Sequence, residues 1–227
     1  PAFFLTEPTI AGKRDNMHDA VIAWLWKKNP SLRNKPYAGI MHRLDRTTSG
    51  VLLFTKQRSV NARIHELFES GGVQKIYRAL AAKPFASPET SFSVESRIGK
   101  LGGSGMWGEV RDGRGRFART DFTVLGECTR DGKKLLRIEA KPLTGRTHQI
   151  RIHLAGIGCP IIGDDKHGNF ALNKQLWKTA RIKKLQLCAY RLRFPIGDTL
   201  RLFTVPVPEH IQAAIDVLMP ETICGLS

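Results

Sequence analysis

The stretch RTDFTVLGECTRDGKKLLRIEAKPLTGRTHQIRIHLAGIG, Arg119 to Gly158, decides the fold. RTDFTVLGEC and KLLRIEAKPL read as two strands joined by a turn at Arg130-Asp131-Gly132. TGRTHQIRIHLAGIG then reads as a loop running into a helix. The same pattern of short strands and tight turns continues outward. YRLRFPIGDTLRLFTVPV is a hairpin around Gly197-Asp198, QKIYRALAA is a strand, and KPFASPET is a connection. GIMHRLDRTTSGVLLFTK reads as strand, loop, strand, and the apolar run Val51 to Phe54 predicts a strand buried on both faces.

Helices are fewer. Residues 15–28, DNMHDAVIAWLWKK, open on Asp/Asn cap candidates and place Met17, Val21, Trp24 and Leu25 on one face. SVNARIHELFESGG predicts a helix capped by Ser59 and stopped by Gly71. A last helix, Glu209 to Met219, buries Ile211, Ala214, Ile215 and Leu218. Strands that outnumber helices and come as hairpins predict an α+β fold with a mixed, largely antiparallel central sheet flanked by helices and loops. No repeat or linker divides residues 1–227, which are expected to form a single domain.

The composition is ordinary, with 41% hydrophobic and 25% charged residues, but the charge balance is not. Thirty-six Lys and Arg against twenty Asp and Glu give +16, which favours polyanions and makes nucleic acid the leading partner. No apolar span or basic amphipathic helix supports a membrane. Cys128, Cys159, Cys188 and Cys224 form no C-x-x-C pair, so reduced thiols are expected, and without a signal peptide the expected compartment is the cytoplasm.

MHRLDRTTSGVLLF, Met41 to Phe54, sets Asp45 between Arg43 and Arg46 beside a buried strand. Neighbouring positive charge is expected to lower the pKa of Asp45, which suits a nucleophile or an electrostatic stabiliser. Taken alone, the stretch equally fits an Asp that makes a turn or a salt bridge. A second cluster gathers Arg146, His148, Gln149, Arg151 and His153, donors that suit a phosphate or a buried carboxylate. No acid or Cys lies in step with the His pair, so no metal is expected. Gly103 to Gly108 spells G-x-G-x-x-G without the strand and helix a dinucleotide site needs, and Trp107 within it reads as a hydrophobic clasp or a stacking surface. Lys174, Lys178, Arg181, Lys183 and Lys184 form a basic run that either contacts RNA or is a solvated face.

Taken together, HRLDRTTSG, QKIYRAL and GRTHQIRIHLAGIGCPIIGD resemble the RluA-type pseudouridine synthases, over residues 37 to 206. DDKHG and LQLCAYRLRFP resemble the branch acting on large-subunit ribosomal RNA. The resemblance implies the pseudouridine synthase fold and an isomerisation of uridine to pseudouridine without cofactor or metal. It implies that Asp45 is the essential aspartate, that Arg151 pairs with it, and that Tyr77 stacks near the uracil and takes a proton. Arg43 would hold the place of the displaced nucleotide. Arg46, Arg146, His148, Gln149, Lys183 and Lys184 are expected to contact RNA, while Leu44, Ile76 and Leu154, which flank the motifs, read as plain core or as lining of the pocket.

Two features differ from the usual pattern. TEPTIAG stands where a Lys-Pro-x-Gly segment is common, with Glu7 before Pro8, and no S4-type RNA-binding domain is recognised. The expected partner is RNA, ribosomal first with tRNA open, and the expected state is a monomer. A non-catalytic RNA-binding protein on this fold is the rival reading. A carboxylate glycosidase or nuclease would need a second acid, for which Asp164 and Asp165 are the nearest candidates, although their Gly-Asp turn reads more simply as loop stabilisation.

Overall fold

The computed structural model describes residues 5–6, 16–83, 90–102, 105–111, 113–130 and 132–220. Asp15, Glu7-Pro8, the connection 84–89, Gly103-Ser104, Asp131 and Cys224, each part of an expectation above, lie outside the described residues.

Three short strands come first: β1 (Gly39–Ile40), β2 (Ser49–Gly50) and β3 (Phe54–Thr55). The long strands are β4 (Gln74–Lys83), β5 (Ser91–Lys100), β7 (Arg116–Arg130), β8 (Lys133–Pro142) and β9 (Leu187–Ile196), with β6 (Trp107–Glu109) and β10 (Thr199–Thr204) shorter. The main sheet runs β10-β9-β4-β8-β7-β5-β6, antiparallel throughout, and β2 joins β9 in parallel. This is the mixed, largely antiparallel sheet that the hairpins predict, and Ile98, Gly99 and Lys100 of β5 pair with Glu109, Gly108 and Trp107 of β6. Among the described residues no helix is long and apolar enough to cross a membrane.

Alternation along the strands divides the core into two layers. Leu80 and Ala82 of β4 and Leu135 of β8 pack with α4 (Phe170–Ala180) and α5 (Glu209–Leu218). Ala79 and Ala81 of β4 and Leu136 and Ile138 of β8 pack on the opposite side with α3 (Gln149–Gly156). Leu136 is fully buried, so truncation to Ala costs about 2–5 kcal/mol.

Several local expectations are corrected. In α1 (Met17–Lys28) the cap is Asn16, whose side chain accepts from the Asp19 N–H at 2.8 Å, but the inward face is Ile22 and Leu25 while Trp24 is 57% exposed. The second helix, α2 (Asn61–Glu69), follows a 3-10 turn at Arg58–Val60, so Ser59 lies inside that turn and does not cap. Val51 to Leu53 do not form a doubly buried strand; only Phe54 belongs to one, and the run is half-buried. Its backbone bonds go to irregular partners: Val51 N–H to the Ala189 carbonyl, Leu53 N–H to His42 Nε2, and the Leu53 carbonyl to Met41 N–H. Trp107 packs on Ile98, Ala118 and Ile152, the clasp and not an open stacking surface.

Candidate active site

The Asp45 loop is held at both ends. Leu44 exchanges bonds with Thr6 Oγ1, its N–H donating at 3.2 Å and its carbonyl accepting at 3.3 Å. The Thr48 N–H closes a turn onto the Asp45 carbonyl at 2.8 Å, and Ser49-Gly50 then pair with Cys188-Ala189 of β9. Gly50 has φ +131°, and a Cβ there would run into the Ala189 backbone, so glycine is required for that close approach. Thus the reactive-looking acid sits on a loop clamped to the sheet.

Facing it is α3, whose first turn begins at His148 in the left-handed conformation, φ 56°. Arg151 on this helix is buried, with 2% of its side chain exposed. Its Nε and one Nη donate to Asp164 at 2.7 and 2.6 Å, and the same Nη reaches Asp165 at 3.0 Å. The other Nη stands 3.7 Å from Asp45 Oδ2, so the pairing expected from sequence is present as a longer contact. Asp164 is fully buried and also accepts from the N–H groups of Lys166 and His167. Burial pushes against its charge, but the Arg151 bonds and charge outweigh that and hold Asp164 below the usual carboxylate range.

Asp45 goes the other way. Burial is the largest influence and raises its pKa, Arg151 opposes this, and the Asp164 charge adds to the rise. This corrects the expectation that adjacent arginines depress it. Arg43 and Arg46 are exposed, while Asp45 is half-buried in the cavity wall.

Asp45, Arg151 and Tyr77 border one cavity of about 690 Å³, within the usual range for ligand sites. Arg43, Lys75, Arg116 and Arg146 also line it, against only Glu69 as a second acid. Tyr77, on the face of β4 that α3 covers, packs in the wall. Burial, then the Asp45 charge, push its phenol well above its ordinary value, so the hydroxyl stays protonated. A raised pKa opposes the proton-accepting role expected of it, which needs a lowered pKa or a transient partner. Lys75 donates to the Thr144 carbonyl at 3.2 Å, and burial, then Arg146, lower its pKa.

The other expected site residues separate. Arg43, Arg146 and His148 line the cavity; Arg46, Lys183 and Lys184 do not, although all three are exposed. Gln149 borders the cavity but is buried and structurally committed. Its Oε1 accepts from Thr144 Oγ1 and the Arg146 N–H, and its Nε2 donates to the Arg119 carbonyl and Thr120 Oγ1. The expected RNA contact is corrected, because no donor or acceptor capacity remains. Leu44 lines the cavity, whereas Ile76 and Leu154 are core; Met41, Ile150 and Leu187 supply the apolar wall instead.

Sequence places Asp164 in a turn, and the structure adds its grip on Arg151. A signal exists, since Asp164 and Asp165 are the only acids between Glu139 and Asp198 and come soon after the helix that carries Arg151. Two histidines brace the same region. His42 Nε2 accepts from the Leu53 N–H, and burial lowers its pKa to about 4. His167 shares a 3.0 Å hydrogen bond with His148, tying the Asp164 loop to the start of α3.

Comparison with known proteins agrees with this geometry. A family model described as "RNA pseudouridylate synthase" matches residues 18–156. The ribosomal large subunit pseudouridine synthase C of Salmonella typhi is 34% identical over 193 residues, covering 79% of this chain and 56% of the relative. The protein of that name from Rickettsia bellii is 36% identical over 132 residues, 57% of this chain and 42% of the relative. The chain spans about half the length of the curated relatives it matches. The human RNA pseudouridylate synthase domain containing 4 shares the fold, with a TM-score of 0.75 over 96% of this chain and 87% of its own at 24% identity. Matched by the family's model over more than half its length, and sharing its fold, the chain belongs to the RNA pseudouridylate synthases.

Proposed function

We propose that this chain isomerises uridine to pseudouridine in structured RNA, with large-subunit ribosomal RNA as its substrate class. The observation that carries this is the placement of Asp45 beside Arg151, in a cation-lined cavity next to Tyr77. The names of the relatives support the ribosomal substrate.

A uridine within a helix hides C1′ and C5, so it must enter the cavity flipped out or from an unpaired segment. The Asp45 carboxylate attacks C1′ as the N1–C1′ bond breaks, and the bonding pair leaves with the uracil. The base turns, C5 bonds to C1′, and Asp45 is released. One proton is lost from C5 and one is gained at N1, so the product is an isomer. Arg151 counters the effect of burial on Asp45 and directs its carboxylate. The protonated Tyr77 ring packs against the base. Arg43, Arg146 and Lys75 meet the phosphates, and the apolar wall retains the detached uracil. No step calls for a metal or cofactor.

The test is tritium release from [5-³H]uridine-labelled ribosomal RNA with EDTA present, comparing wild type with Asp45→Asn. Release by wild type alone is expected. Release by both would remove Asp45 from its role. Tight binding without release by either would leave an inert RNA-binding protein. Release from transfer RNA but not ribosomal RNA would change the substrate class.

A further inference from the structure

A second cavity, about 290 Å³, lies where α5 crosses β4, β8 and β9. It shares no lining residue with the candidate active site, and α5 and α3 cover opposite layers of the sheet. Ile211 and Ile215 form its apolar wall, and Arg78, Arg137, Tyr190 and Gln212 its polar side.

Arg137 is unusual for its position. It stands opposite Leu80 in the β4–β8 ladder and is half-buried. Among the described residues its guanidinium has no carboxylate or hydrogen-bond partner. Its nitrogens are not among the buried polar atoms, so the guanidinium is open to an anion that enters the cavity. Glu139, two residues along the strand, is already taken by Arg78 at 3.0 Å and Lys141 at 3.1 Å. Arg78, which lines the cavity, is held 4.9 Å from the Tyr190 ring centre, and Arg191, outside the lining, stands 5.2 Å from the same ring. The result is a preorganised group of arginines with one acid among them, in a space at the small end of ligand pockets.

We propose that this cavity receives a backbone phosphate of the RNA substrate, with Arg137 as its principal donor. A guanidinium fork matches two phosphate oxygens, and the apolar floor leaves room for the attached sugar. Because the cavity lies behind the sheet, only RNA extending well past the target uridine reaches it. The site therefore favours long, folded RNA over a short hairpin. This rests on the reading of RNA as substrate, but not on the isomerase chemistry.

Arg137→Ala is the first variant to test, with Arg137→Leu as the control for folding. Removing this guanidinium breaks no hydrogen bond or ion pair among the described residues, so both are expected to melt close to the wild-type temperature without RNA. Binding is then titrated against salt for full-length ribosomal RNA and for a short stem-loop carrying one uridine target. For the long RNA, Arg137→Ala is expected to lose about tenfold in affinity and to lower the log–log salt slope by about one. The stem-loop is expected to bind and release tritium as with wild type. Unchanged affinity and slope on the long RNA would overturn the proposal, as would an equal loss on the stem-loop. Binding of free uridine monophosphate that Arg137→Ala abolishes and long RNA does not displace would make this a nucleotide site instead. If wild type binds RNA but releases no tritium, the isomerase reading fails while the binding comparison still decides this one.

Discussion

Asp164 grips Arg151 through two hydrogen bonds, 2.7 Å to Nε and 2.6 Å to Nη, and so leaves the other Nη turned toward Asp45 at 3.7 Å. The stronger partner of the arginine is thus the acid outside the cavity lining. A fork fixed on one edge can present its free corner in one direction only.

Asp164→Ala would leave Arg151 buried without its main partner. Breaking one side of a buried pair costs about 3–5 kcal/mol. Urea unfolding should show a loss on that scale, and tritium release should fall at saturating RNA with little change in RNA affinity. Asp164→Asn keeps the shape and one acceptor oxygen, so its activity should lie between. Wild-type turnover in Asp164→Ala would show that Arg151 needs no such hold.

Asp45→Asn should separate activity from stability. A carboxyl whose folded pKa is raised binds its proton more tightly in the folded chain, so its ionised form weighs against folding at neutral pH. The variant should bind RNA, form no pseudouridine, and unfold at an equal or higher urea concentration than wild type at pH 7. A clear loss of stability would contradict the direction of that shift.

Tyr77 should show no phenolate in the pH–rate profile. Its pKa is raised by burial and by Asp45, so the rate should not climb as pH approaches 10. Tyr77→Phe should keep the same alkaline profile at a reduced rate. An alkaline rise in wild type that Tyr77→Phe abolishes would restore the tyrosine as a base.

His153 should contribute to acid sensitivity. It is buried, its ring nitrogens share hydrogen bonds with Thr120 and Ser96, and burial lowers its pKa to about 4 from 6.5. The unfolded chain binds this proton more readily. Its contribution is therefore complete above pH about 6.5 and is lost as pH falls toward about 4. His153→Gln should flatten the stability curve across that window. An identical slope in the variant would assign the acid sensitivity elsewhere.

Where local chemistry decides an element, its outline was legible. Arg130 pairs with Lys133 where sequence expects the β7–β8 hairpin, Gly197-Asp198 joins β9 to β10, and Asn16 caps α1 as its residue type suggests. Val51 to Leu53 misled because an apolar run reports burial and not backbone pairing, and their bonds go to Ala189 and His42, which distant elements bring near. Trp24 misled because a helical wheel shows which residues share a face, not whether another element covers it.

The sequence by itself determined that Asp45, Tyr77 and Arg151 stand in a recognisable order, on a loop, a strand and a helix of a largely antiparallel α+β chain. Only the tertiary structure decided their electrical state. Adjacent arginines suggested a depressed Asp45, but charge acts through distance and water. Folding placed Arg43 and Arg46 in solvent, took Asp45 inward, and gave Arg151 chiefly to Asp164. Burial, set by which elements pack around a group, then outweighs charges that are neighbours only along the chain.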